Sequence, residues 1–525
     1  DVGGSFGSKM SAYAEQALVL WAARKLRRPV KWVAERSEGF ATDPAARDNE
    51  THAALALDKD GRFLAVRVDT LANMGGYLSN LTILAAINGL TLLSGPYAMM
   101  AGYAAVEGVF TNTVHTDVMR GAGRPEATYA IERLVDAAAV KLAIAPDELR
   151  RRNLIPADAF PYTTVFGLTY DSGLFSVNLD TALTRSDWAG FANRRAAAKA
   201  RGRLAGIAVS TYVQRNGGRL MDETAQIRID ASGHATLFIG TLGTGQGHET
   251  AYAQIIADCL GLGTDAIRIV EGDTDRVGIG NGTGGSRSMM VGGSVLLLAC
   301  ERIIDKGCAI AAHLLEADRA DIGFAHGRFT VSGTDRAVTL REVAQTAYRQ
   351  DLLPAEIETG LDERANFRPP NFSFPNGVYV CEVEVDPETG KVDIVRFTAA
   401  EDYGTLVNPT LVEGQVHGAL TMGFGQALLE RTVYEHGTGQ LLSGSLIDYT
   451  LPRAIDMPPI DLVLNQDAPC QSNPLGAKGA AEGGTVGAPP AVINAVLDAL
   501  RPLGVEHIDM PATPERVWRA IESKR

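Results

Sequence analysis

Cysteine is scarce and scattered: five residues in 525, at 259, 300, 308, 381 and 470, with no CxxC pair among them. That spacing excludes an iron–sulfur cluster or a zinc site built from this chain alone. An odd, dispersed set reads as small core residues in a reducing compartment, which places the protein in the cytoplasm. Basic charge is also short, 49 Lys and Arg against 62 Asp and Glu, a net charge of −13. A nucleic-acid surface is disfavoured, because phosphate binding draws on a basic stripe. Long apolar runs are missing as well. The most apolar one, Val295 to Cys300, is stopped by Glu301 and Arg302, far below a membrane-spanning length. There is no initiating Met and no leader; the chain opens inside a glycine motif and reads as the middle of a protein. No Walker A loop with its phosphate-binding lysine and no βαβ dinucleotide fingerprint is recognisable, which counts against a generic nucleotide-binding protein.

What the chain has in plenty is glycine, 56 residues, in a length sufficient for two or more domains. Three stretches alternate apolar and polar residues on either side of a short turn and predict β-hairpins: Ala54 to Leu71 around Asp58–Gly61, Ala225 to Ile239 around Asp230–Gly233, and Val378 to Thr398 around Asp386–Gly390. Between them lie helical patterns, so the fold class is α+β. Four glycine-rich loops each run into a helix: GGSFG before Ser11 to Leu26, RGAGRPE before Ala127 to Leu142, TGQGHET before Ala251 to Leu260, and NGTGGSRSMMVGGS before Val295 to Ala317. Free backbone N–H groups at a helix start form an anion site, and four such loops could converge on one large ligand rich in acceptor oxygens. The alanine-rich, charged stretch Ala196 to Arg203 places a domain boundary, giving domains 1–203 and 204–525.

Near the end of the chain, NPLGAKGAAEGGTVGAPPAVINAV holds a single carboxylate, Glu482, among glycines and alanines. Within five residues its one charged neighbour is Lys478. A carboxylate kept from water in this way is what a general base working near neutral pH requires; on the same residues alone, a solvated loop glutamate is the plainer alternative. The pair Pro489–Pro490 marks the N-terminus of a helix running to Leu500.

Taken together these motifs resemble the molybdenum-binding large subunit of the xanthine dehydrogenase / aldehyde oxidase family of molybdenum hydroxylases. The residues that carry the resemblance are Gly3-Gly4-Ser5-Phe6-Gly7, Arg120-Gly121-Ala122-Gly123-Arg124, Gly245-Gln246-Gly247, Thr283-Gly284-Gly285-Ser286-Arg287-Ser288, Gly414-Gln415-Val416 and Lys478-Gly479-Ala480-Ala481-Glu482. They stand in family order and span the chain, which corresponds to the C-terminal two-thirds of such a subunit. The resemblance implies two elongated molybdopterin-binding domains with the pterin between them. Gly4 to Gly7, Arg120, Gly245 to Gly247, Thr283 to Ser288 and Lys478 would hold molybdenum-molybdopterin, in the cytosine dinucleotide form of the bacterial multi-chain members. The metal would be held by the pterin dithiolene, with no direct protein ligand. Glu482 falls on the family's catalytic glutamate, the base for hydroxylation of an aldehyde or N-heteroaromatic carbon with oxygen from water. Electrons would pass to an iron–sulfur small subunit and an FAD subunit. A further chain or segment would supply the missing N-terminal domain, with its glutamine beside the metal, in a dimer of such heteromers.

Departures from the family pattern bear on the substrate. Purine-oxidising members carry a glutamate shortly after GGxFG, an arginine in a later loop, and an aromatic that stacks on the purine; here these places hold Met10, Tyr103 by a looser alignment, and Ala122. Carbon monoxide dehydrogenases of the best-defined type carry a cysteine directly after the loop arginine, where Gly121 stands. A glutamine often found near the pterin aligns with Met422. The resemblance therefore disfavours purines and carbon monoxide. The alternative to an enzyme is a cofactor-free scaffold or assembly subunit of the same fold.

Overall fold

A computed structural model of the chain describes residues 2–217 and 222–525. All three hairpins form. Asn49–Leu57 pairs antiparallel with Phe63–Gly75, and Ala101–Phe110 joins the second strand in parallel. The turn holds because Asp58 Oδ1 accepts the N–H groups of Asp60 and Arg62, at 2.9 and 2.8 Å. The second hairpin, Glu223–Ile229 and Ala235–Ile239, is the middle of a four-stranded sheet completed by Leu361–Phe367 and Ile267–Val270. The third, Asn376–Val385 and Val392–Asp402, lies within a sheet ordered Ile460–Asn465, Val392–Asp402, Asn376–Val385, Leu204–Val213.

This last sheet positions the site. The strand Leu204–Val213 is covered on both faces, so it reads as a continuous apolar run. Its alternating side chains divide between two cores. Ala205, Ile207, Val209 and Val213 pack with Tyr97, Ile131 and Leu179, while Ala208 and Tyr212 pack with Val492 and Val496 of the helix Gly483–Leu500. The expected boundary at residue 203 falls between the helix Phe191–Ala200 and this strand. Within residues 156–171, Tyr162–Thr163 pairs antiparallel with Thr169–Tyr170 in a small ladder.

The helices after the glycine loops run Ala14–Leu26, Arg124–Leu142, His248–Leu260 and Ser294–Leu314, the last preceded by a π-helical turn, Ser288–Gly293. One expectation is corrected. The helix carrying Pro489 and Pro490 starts at Gly483, with both prolines inside it and Glu482 at its N-cap. Interior prolines cost a helix about 3 kcal/mol through lost donors and crowding. Close packing offsets that here. A Cβ on Gly484 would lie 2.4 Å from the Leu420 backbone nitrogen, and one on Gly487 would lie 2.7 Å from the Tyr379 ring. The first turns can therefore rest directly on the helix Pro409–Leu428 and the sheet below. Among the described residues no helix is long and apolar enough to cross a membrane.

Candidate active site

The glycine loops meet around one cavity of about 260 Å³. Gly7, at φ +109°, presses so near the next loop that a Cβ would lie 2.4 Å from the Val118 carbonyl oxygen. There the Arg120 N–H donates to the Phe6 carbonyl at 2.8 Å. The Arg120 side chain then ties the two loops to distant segments. Nη2 donates to the backbone and side-chain oxygens of Gln415 at 3.1 and 3.2 Å, Nη1 lies 3.7 Å from Met422 Sδ, and Nε donates to the Ala481 carbonyl. Thr485 Oγ1 donates to the Arg120 carbonyl at 3.1 Å. Burial pulls this guanidinium below the ordinary arginine range, opposed by the charge of nearby Glu482. Met422 thus serves the arginine.

The third and fourth loops are stitched to each other. Thr283 Oγ1 accepts the Leu242 N–H at 2.9 Å. Gln246 accepts the Thr244 N–H at 2.6 Å and, through Nε2, reaches Leu242 O and His248 Nε2, both at 3.0 Å. Gln246 therefore shapes its own loop and orients His248, whose other nitrogen lies 3.1 Å from Glu271 Oε2.

Glu482 lines the cavity and is 6% exposed. Its Oε2 accepts from Gln214 Nε2 at 2.7 Å, from Asn216 Nδ2 at 3.2 Å, and from Ser286 Oγ. Oε1 accepts from none of the described residues. Lys478 also lines the cavity, but its Nζ is locked 2.7 Å from Asp402 Oδ2 in a fully buried ion pair.

Of the sequence-predicted residues, Ser5, Phe6, Gly7, Met10, Arg120, Ala122, Gln246, Gly247, Thr283 to Ser286 and Ser288 line the same cavity as Glu482 and Lys478. Gly4 and Gly245 belong to the same loops but not to the lining. Arg287 turns its guanidinium beneath its loop, onto Glu223 at 2.7 Å and the carbonyls of Gly282 and Asp222. Tyr103 lies elsewhere, half-exposed on the strand Ala101–Phe110 with Arg67 over its ring, so it takes no part in this lining. Sequence reasoning missed Gln214, Asn216, His248 and Tyr403. Only the histidine, next to Gly-Gln-Gly, carried any signal.

Glycine backbone borders the cavity on several sides. Beside Gly285, at φ +61°, a Cβ would meet nothing within 4 Å. Open backbone of this kind, with hydroxyls at Thr283, Ser286 and Ser288, fits a flat ligand rich in oxygen and nitrogen acceptors.

Residues 1–154 and 181–458 each match a molybdopterin cofactor-binding domain. The chain belongs to the molybdenum hydroxylase large subunits of the xanthine dehydrogenase / aldehyde oxidase family. It is a catalytic subunit of the molybdopterin-dependent oxidoreductases, with the mixed α and β architecture of that family. The carbon monoxide dehydrogenase large chain of Hydrogenophaga pseudoflava is 38% identical, covering 99% of this chain and 67% of its own. The nicotine 6-hydroxylase large subunit of Paenarthrobacter nicotinovorans is 32% identical over 99% of this chain and 65% of its own. Among solved structures, quinoline 2-oxidoreductase from Pseudomonas putida 86 matches with a TM-score of 0.96 at 33% identity, covering 100% of this chain and 68% of the other. The chain thus spans about two-thirds of the length of these relatives.

Proposed function

We propose that this subunit hydroxylates an electron-poor carbon of an aldehyde or a neutral N-heteroaromatic, with Glu482 as the general base. The carrying observation is the carboxylate itself: buried at a helix N-cap, lining the cavity, with three donors on Oε2 and, among the described residues, none on Oε1. Overall, a C–H bond is replaced by C–O, water supplies the oxygen, and two electrons and two protons leave. Molybdenum-molybdopterin, in the cytosine dinucleotide form, supplies the two-electron oxidation. The loops at Gly4–Gly7, Gly245–Gly247 and Thr283–Ser288 would hold it through backbone and hydroxyl groups, with Arg120 fixing the first two loops to later segments. Glu482 Oε1 takes the proton from the attacking oxygen. The electrons would pass to iron–sulfur and FAD subunits, in the cytoplasm, with a further chain or segment supplying the N-terminal domain that the family resemblance implies.

The substrate reading is supported by Met10 and Ala122, which line the cavity and, by the family resemblance, stand where purine-oxidising members carry a polar and a stacking residue. Unmet polar groups on a bound ligand cost affinity. Carbon monoxide is disfavoured by Gly121. At φ +109° a Cβ there would lie 2.5 Å from Pro125 Cγ, so a cysteine could not occupy the position without moving the loop.

The test is Glu482→Gln in the molybdenum-loaded complex, assayed with benzaldehyde, quinoline and hypoxanthine and an artificial dye acceptor. We expect the parent to favour the first two over hypoxanthine by about a hundredfold in kcat/KM. The variant should keep its molybdenum and lose about 10²- to 10⁴-fold in turnover. Near-parental turnover in a molybdenum-replete variant ends the general-base reading. Comparable rates with hypoxanthine end the substrate reading. A parent complex that matures without molybdenum returns the protein to the scaffold class.

A further inference from the structure

We infer that Gln214 and Asn216 are positioning residues for Glu482: they occupy Oε2 and so leave Oε1 as the proton-accepting oxygen. The inference rests on Glu482 being the base. Both residues follow directly on the buried strand Leu204–Val213, and their backbones are pinned there. The Gln214 N–H donates to the Pro375 carbonyl at 2.9 Å, while Asn216 exchanges two bonds with Ser373, at 2.9 and 3.0 Å. From this fixed base the two amides form a small relay. Gln214 Nε2 uses one hydrogen on Glu482 Oε2 at 2.7 Å and the other on Asn216 Oδ1 at 3.1 Å; Asn216 Nδ2 then reaches Glu482 Oε2 at 3.2 Å. This pattern settles both amide orientations, because turning either one over would set an oxygen against the carboxylate. The approach of Asn216 also requires Gly479, where a Cβ would lie 2.4 Å from Nδ2.

What separates a device for orienting the base from ordinary core bonding is the other end of Gln214. The side chain is wholly buried, yet its Oε1 has no hydrogen-bond partner among the described residues. A buried carbonyl oxygen left unpaired is a net cost to the fold. Packing alone would be served as well by an apolar side chain of the same shape. What the glutamine adds is its Nε2, and both Nε2 bonds serve the carboxylate or the asparagine that also holds it. A free carboxylate could present either oxygen in several rotamers. Three donors converging on one oxygen restrict the carboxylate to a single orientation and leave the second oxygen without a donor from the described residues, which is the preorganisation a proton transfer needs.

The experiment is Gln214→Met, close in volume and without a donor, in the molybdenum-loaded complex with quinoline or benzaldehyde as substrate. We read kcat, KM, molybdenum content and Tm. We expect kcat to fall about 10- to 100-fold with KM within about twofold. Molybdenum content should be unchanged, and Tm equal to or above that of the parent, since the unpaired oxygen is gone. Combined with Glu482→Gln, the second change should slow turnover no further, as expected of two residues acting through one atom. A kcat within twofold of the parent, while Glu482→Gln alone is crippled, overturns the positioning role and leaves the base intact. A parallel loss of activity, Tm and molybdenum assigns Gln214 to structure and also overturns it. Near-parental turnover of Glu482→Gln alone removes the premise, whatever Gln214→Met does.

Discussion

Glu401 sits beside the aspartate that pairs with Lys478, fully buried among Tyr212, Tyr379 and Tyr403. Burial pushes its carboxyl up to about 8 from an ordinary 4.5, while the tyrosine hydroxyls pull the other way. Between these two values the folded protein keeps a proton that the unfolded chain has lost. The folded state then binds more protons than the unfolded one, so this group's contribution to stability is complete at low pH and is lost as pH rises toward 8. Glu401→Gln removes the dependence. Thermal scans from about pH 5 to 9 should show the variant gaining on the parent up to about pH 8 and then running parallel; a constant difference would refute the assignment. Legibility at this scale was uneven. Glu482 could be found because it is a lone carboxylate in a glycine-rich stretch within a set of ordered motifs. Gln214 and Asn216 could not, because amides at the end of an apolar run carry no pattern and lie 268 and 266 residues from their partner.

Among the elements, the hairpins were readable because period-two alternation and an Asp–Gly turn are local properties. The start of the helix Gly483–Leu500 was not, because it depends on what lies against it. Prolines signal a helix start when nothing else acts, yet here six glycine-rich residues ahead of them are held helical by contact. Two glycines in neighbouring helices test this account. Gly484→Ala should destabilise by about 3 kcal/mol, since the new carbon meets the Leu420 nitrogen at 2.4 Å and backbone cannot easily give way. Gly414→Ala, exposed in the helix Pro409–Leu428 with nothing within 4 Å, should instead stabilise by about 0.5–1 kcal/mol. Chemical denaturation of the two variants checks both signs, and equal effects would show that packing does not hold the first turns.

For the molecule as a whole, one surface is unfinished. The helix Ala14–Leu26 buries none of its residues, and Leu18, Leu20, Trp21 and Leu26 are all more than half exposed. An exposed apolar surface of this kind is expected to meet further polypeptide. The lone chain should self-associate and lack turnover, whereas active material should contain further polypeptide that shields this helix from hydrogen exchange. Sizing and mass analysis of an active, monomeric single chain would refute this.

The architecture also orders events in time. The strand Leu204–Val213 finds its neighbour only when Asn376–Val385 has been made, and the carboxylate held by Gln214 arrives later still. Until then the loops of Phe6, Arg120 and Gln246 lack the later segments that border the same cavity. If the cofactor is held as proposed, synthesis would run past Glu482 before the cavity that receives it is assembled.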